Sequence, residues 1–204
     1  MRRRDFLAAA LIGAALGAAP ALAAPLAPDD QALVQRAAAY LDGLGEARGR
    51  FVQTDPRGQT SEGELYLDRP GKARFEYQKP PSMLVVADGF TVMVYDRRLK
   101  TFNRYPLGST PLGLFLQKHV RLDRVDITGV ERIAGGFSIT ARGGGRSMHG
   151  EITLSFSDDP VALRQWSIVD AQGARTTVRI DGLQPAHGLD PALFQLRNPL
   201  RPPQ

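Results

Sequence analysis

Two hydrophobic periods divide the chain. Between Pro28 and Gly45, Leu33, Ala37, Tyr40, Leu41 and Leu44 recur on one face of a 3.6-residue repeat, with Asp29 and Asp30 at the start and Gly43 and Gly45 at the end. Acid at the positive end and glycine at the last turn are helix-boundary signals, so this stretch predicts one amphipathic helix. From Arg48 onward the period becomes 2. Leu65 and Leu67 share one face of an extended run, and Ala73, Phe75 and Tyr77 continue it after Pro70-Gly71, which predicts a β-hairpin over 63–77 with one apolar side. Phe51–Thr54 forms a strand before it, closed by the turn Asp55-Pro56-Arg57-Gly58. Met83–Ala87 and Val92–Tyr95 flank the hairpin signal Asp88-Gly89 and are apolar without alternation, the pattern of strands covered on both faces.

After a strand over Thr101–Tyr105 the period breaks. Thr110-Pro111 supplies an N-cap and first-turn pair for a short helix that carries Leu112, Leu114, Phe115 and Leu116. So apolar a helix needs a surface to lie on: it caps a core or lies as a lid over a cavity, and the two are compatible. Strands resume at 125–130, 137–141, 151–156, 163–169 and 176–180, with turns at Gly143-Gly144-Gly145, Asp158-Asp159-Pro160 and Asp170-Ala171-Gln172-Gly173. A helical turn over 190–194 follows, and the Pro-rich tail from Pro199 is expected to be disordered. The sum is a mainly β, α+β fold: one antiparallel meander of about ten or eleven strands, curled, with two helical pieces plugging its concave side. Neither an internal repeat nor a domain boundary interrupts it.

The N-terminus changes the compartment. Arg2, Arg3 and Arg4 precede an apolar run over 6–19 and then Ala21-Leu22-Ala23, the form of a secretory signal peptide cleaved after Ala23. Arg3-Arg4-Asp5-Phe6-Leu7 also fits a twin-arginine core, so both export routes stay open. Cleavage leaves 181 residues, enough for a single domain over 24–198, and lowers the formal net charge from +5 to +3. With no cysteine, the chain has no disulfide, no thiol nucleophile and no lipidated cysteine of its own. No run of lysine or arginine occurs after residue 23, which together with export argues against nucleic acid as a partner.

Signals for catalysis are weak. His119, His149 and His187 lack metal-ligand spacing, so no metal site is expected. Gly145-Arg146-Ser147-Met148-His149-Gly150 has the outline of a nucleophile elbow, yet His149 stands where that motif needs glycine. A serine hydrolase around Ser147 is therefore the remote alternative. Gly143-Gly144-Gly145-Arg146 lacks the lysine and Ser/Thr of a phosphate-binding loop and reads as a hairpin tip. No cofactor and no enzymatic activity are expected.

A set of short segments points elsewhere. Phe51-Val52-Gln53, Gly63-Glu64-Leu65, Arg69-Pro70, Arg74-Phe75-Glu76-Tyr77, Pro80, Val86-Ala87-Asp88-Gly89, Tyr95-Asp96, Thr110-Pro111 and Leu189-Asp190 with Leu193-Phe194 together resemble the LolA family of periplasmic outer-membrane lipoprotein carriers. They span nearly the whole mature chain in order. The resemblance implies an unclosed half-barrel with a helical lid, enclosing an apolar cavity that takes up lipoprotein acyl chains. It further implies a monomer that collects acylated lipoproteins from an inner-membrane exporter complex and delivers them to an outer-membrane acceptor or to the outer membrane itself. Arg69 would be the latch that hydrogen-bonds the lid backbone, and Pro111, Leu112, Leu114, Phe115 and Leu116 the lid. Leu65, Leu67, Phe75, Tyr77, Val86 and Met93 are the candidate cavity lining, with ordinary core packing as the alternative for each. Ala73 departs from the family pattern, being small where an aromatic can stand. The same fold also suits a carrier of other lipids or glycolipids, or an envelope-stress domain that senses stray lipoproteins.

Overall fold

In the computed structural model, which describes residues 26–80, 82–119, 126–142, 150–170 and 172–201, eleven strands form one antiparallel sheet. They are β1 (Glu46–Thr54), β2 (Thr60–Asp68), β3 (Lys72–Lys79), β4 (Met83–Asp88), β5 (Thr91–Asp96), β6 (Thr101–Pro106), β7 (Asp126–Ile133), β8 (Gly136–Arg142), β9 (Glu151–Asp158), β10 (Val161–Val169) and β11 (Arg175–Pro185). Their order is β6-β5-β4-β3-β2-β1-β11-β10-β9-β8-β7. Every consecutive pair is therefore hydrogen-bonded except β6 and β7, and the sheet stays open between them. Where a closing strand pairing would lie in sequence, the chain instead forms a 3-10 turn (Leu107–Ser109) and the short helix α2 (Pro111–Leu116).

The sheet curls. Phe75 on β3 and Trp166 on β10 are four strand steps apart, about 19 Å in a flat sheet, yet their rings meet edge-on with centroids 5.9 Å apart. The face inside the curl carries the main apolar cluster, from Phe51, Leu65 and Phe75 on one half to Ile139, Phe156 and Trp166 on the other. Helix α1 (Pro28–Gly43) lies inside against β7 and β10 and buries Leu33, Ala37 and Leu41, three residues of the expected face. Tyr40 meets Phe156 edge-on at 6.1 Å.

Three local features differ from the sequence reading. Strand β1 starts at Glu46, and β11 runs on to Pro185, because Ala47 pairs with both Leu67 and Pro185 around a bulge between Arg48 and Arg50. Gly49 and Gly182 interrupt the side-chain alternation there, which hides the extensions in the sequence. Thr110 does sit at the N-cap of α2, but its hydroxyl donates back to the Leu107 carbonyl at 2.8 Å and makes no capping bond. The signal segment over 1–23, the Gly143–Gly145 turn, Ser147 and His149 lie outside the described residues. Among the described residues, no helix is long and apolar enough to cross a membrane.

Candidate functional site

The central hairpin forms one wall of the inner face. Leu65 pairs with Phe75 and Leu67 with Ala73, and all four are buried there with Tyr77. Tyr77 meets Phe51 edge-on at 5.0 Å, and its hydroxyl donates to Gln53 Oε1 at 2.8 Å. Burial pushes the Tyr77 phenol well above its ordinary value of 10.0. The structure thus brings together four of the six residues expected to line the cavity.

Val86 and Met93 are a correction. Phe75 pairs with Val85, and Val85 with Val94, so those residues continue the inner face. Val86 pairs with Arg74 and Met93, which puts Val86 and Met93 on the outer face. There they form a separate small cluster with Leu84, bordered by Tyr95, Phe102 and Leu196. Because β4 and β5 are apolar on both faces, the sequence supplies no parity; only the register does.

Helix α2 covers the inner wall from the open side. Phe115 stacks on Trp166 at 6.1 Å with 29° between the rings, and Phe115 and Leu116 are both buried. Pro111, Leu112 and Phe115 roof a residual apolar cavity floored by Leu154, Trp166 and Ile168, with a volume of about 20 Å³, room for about one water molecule. Leu114 belongs to the same helix, with its side chain outside the described set. Gly113 lets the helix fold against its own approach: a β-carbon there would lie 2.3 Å from the Leu107 carbonyl oxygen. A larger depression of about 290 Å³ lies on the outer face. Its lining includes Arg48, Arg50, Glu64 and Asp181 and is unsuited to a hydrocarbon.

Arg69 stands where three elements meet. It follows β2 in the turn to β3, and its Nη2 donates to the Gln117 carbonyl at 2.5 Å, at the C-terminal end of α2. Nη1 reaches the Leu44 carbonyl at 3.4 Å, just past the C-terminus of α1, while the buried Nε has no partner. The guanidinium also lies 5.9 Å from the centroid of the Phe115 ring. Burial pulls the Arg69 pKa below its ordinary value, and the charge of Asp42 offsets part of that. One residue further than Pro70, the Gly71 N–H donates to the Leu116 carbonyl at 2.8 Å. Gly71 has φ +87°, a conformation open to glycine and strained for other residues. The hairpin turn therefore holds the end of α2 by two nearby donors.

Trp166 is the inner-face residue that the sequence reading missed. Alternation from Leu163 would place Gln165 and Ser167 inside, but a bulge between Leu163 and Gln165 shifts the register, so that Trp166 and Ile168 point inward. The usable signal was the uneven spacing of Leu163, Trp166 and Ile168.

Residues 43–197 match the family described as outer membrane lipoprotein carrier protein LolA. The chain belongs to the LolA family. An outer-membrane lipoprotein carrier protein of Cupriavidus taiwanensis is 34% identical over 109 residues, covering 48% of this chain and 52% of that protein. The match to that relative therefore spans only about half of its length. One from Azotobacter vinelandii is 27% identical over 199 residues, covering 89% and 91%. Among solved structures, an uncharacterized conserved protein of Thermus thermophilus has the same fold, with a TM-score of 0.51 at 12% identity over 83% of this chain and 94% of that one.

Proposed function

We propose that this LolA-family protein is a periplasmic carrier, exported by its N-terminal segment, that shelters the acyl chains of lipoproteins between the inner wall and α2. It takes them as a monomer from an inner-membrane exporter complex and delivers them to an acceptor at the outer membrane. The observation that carries this reading is a six-residue apolar helix seated on an apolar wall and held at its end by a half-satisfied guanidinium and one backbone hydrogen bond.

The energetics fit the task. A bare acyl chain of roughly fifteen carbons costs on the order of 12 kcal/mol in water, so it needs a cover. A carrier that bound it with all of that energy would never release it. Because α2 occupies the space a chain would take, closure competes with cargo, and the energy of reseating Phe115 and Leu116 is returned when the cargo leaves. Arg69 sets that competition. Charge-assisted hydrogen bonds contribute about 1.5–3 kcal/mol each, enough to bias the lid without locking it.

Arg69→Leu should therefore leave capture of a triacylated lipoprotein intact and slow its transfer to outer-membrane vesicles by about tenfold or more, the equivalent of one such bond. Wild-type transfer by this variant would sink the latch role. Mass spectrometry of material co-purified from the periplasm tests the cargo: free phospholipid or glycolipid in place of lipoprotein would replace this reading with that of a general lipid carrier.

A further inference from the structure

The open sheet has two edge strands, and they are built differently. Strand β7 is blunted: a bulge lies between Ile127 and Gly129, Asp126, Glu131 and Arg132 place charges along it, and α1 packs against it. Bulges, charges and covering helices protect an edge from pairing with another chain. Strand β6 has none of the three in that measure. It carries one charge, Arg104, pairs with β5 in unbroken register from Thr101 to Pro106, and is exposed at every residue but Phe102.

The register fixes which groups this edge offers. The Leu107 N–H donates to the Phe90 carbonyl at 2.8 Å, one step past the Thr91–Pro106 pair. Bonded and non-bonded pairs alternate in an antiparallel ladder, so Thr101, Asn103 and Tyr105 direct their main-chain groups to β5. The N–H and C=O of Phe102 and Arg104, with the Pro106 carbonyl, point away from the sheet. Among the described residues, no hydrogen bond reaches them. The same edge borders the gap between β6 and β7, where the chain leaves the sheet for the helix that covers the inner wall. A lipoprotein carries its acyl chains at the first residue of its polypeptide, so with those chains under α2 the residues that follow leave through this gap.

We propose that β6 is a docking edge for the cargo polypeptide: the extended segment after the acylated residue adds to the sheet as a further strand along Phe102 and Arg104. Strand addition recognises main chain, which suits cargoes that share a lipid and differ in sequence. Once the acyl chains are held, the pairing is intramolecular and a few weak bonds suffice. It rests on the carrier reading proposed above.

Two ligands separate peptide from lipid: a triacylated cysteinyl peptide long enough to span β6, and the triacylated cysteine amide alone. Trp166 is the only tryptophan and lies buried against Phe115, so its fluorescence reports occupancy of the inner wall and acrylamide quenching reports its exposure. The peptide ligand should bind about three- to tenfold more tightly, the scale of one net hydrogen bond, and should slow hydrogen exchange at the Phe102 and Arg104 amides. The amide ligand should not slow it. Arg104→Pro removes an outward N–H from an edge strand, where proline is tolerated; it should reduce the difference between the ligands without weakening the lipid alone, and Arg104→Gln should keep the difference. Methylating the peptide nitrogens one at a time needs no protein variant and should weaken binding at every second position. Equal affinities, methylation effects without that alternation, or exchange slowed by both ligands would overturn the proposal. Protection that grows with protein concentration and needs no ligand would overturn it in favour of a second copy of the chain. Binding of neither ligand would remove the carrier reading itself, and the docking edge with it.

Discussion

The sheet is covered on both faces by a short helical segment, and in each case an arginine donates to a carbonyl of that cover. On the outer face the turn over Pro191–Phe194 lies on β3 and β4. Arg74 fastens it with every part of its fork in use: Nε and Nη2 donate to Glu76 at 3.0 and 2.9 Å, and Nη1 donates to the Leu193 carbonyl at 3.1 Å. Asp190 caps the turn through the Ala192 N–H, and Lys72 lies 5.8 Å from the centroid of the Phe194 ring. On the inner face Arg69 makes one short bond and one long one and leaves a buried donor idle. The same chemical device thus appears in a satisfied and an unsatisfied form. An idle buried donor costs free energy, so on the carrier reading proposed above the inner cover is the one that lifts, and the outer cover is the one that stays in place.

The largest expected effect tests the permanent side. Met93 is 3% exposed in the outer-face cluster bordered by Leu196, and Met93→Ala should lower the unfolding free energy by about 2–5 kcal/mol while leaving Trp166 as well shielded from acrylamide as before. Chemical denaturation and quenching read the two quantities. A stable Met93→Ala variant with an exposed tryptophan would reverse the assignment of the two covers.

Gly113→Ala addresses the movable side. The added β-carbon would meet the Leu107 carbonyl, and overpacking of this kind costs about 1–3 kcal/mol. If α2 lifts as proposed, that strain should appear as a roughly five- to hundredfold shift toward an accessible Trp166, with little change in the denaturation midpoint. If the midpoint falls and quenching does not move, α2 is a core helix and not a lid.

The same contrast explains what could be read from the sequence. The hairpin wall, the open meander, α1 and the short helix α2 follow from clean periods: Leu65, Leu67, Phe75 and Tyr77 alternate strictly, and one face is all they need to declare. Arg69 stood out by its place at the corner of that hairpin. Val86 and Met93 were assigned to the wrong face because a strand covered on both sides carries no parity, and the outer cover comes from a segment far along the chain. Trp166 was hidden by a bulge, which no alternation rule anticipates.

The smallest effect tests whether the wall beneath the lid is as fixed as the outer patch. Tyr77 sits at the other end of β3 from Arg69, 5% exposed, with its phenol held above 10.0 by burial. The folded protein keeps this proton where the unfolded chain loses it. Stability from Tyr77 is therefore complete below about pH 10 and declines as pH rises beyond it, by up to about 1.36 kcal/mol per pH unit. Tyr40 and Tyr66 are raised as well, Tyr40 mainly by burial and Tyr66 mainly by its bond to Glu64. The wild-type curve thus sums all three, and Tyr77→Phe isolates one. At neutral pH the variant should lose about 0.5–1.5 kcal/mol with the hydrogen bond to Gln53, and above about pH 10 its stability should fall less steeply than that of the wild type. Parallel curves would mean that water reaches Tyr77 in the folded state. The inner wall would then be loose along its whole length, and the movable part of the protein would extend beyond α2 into the sheet.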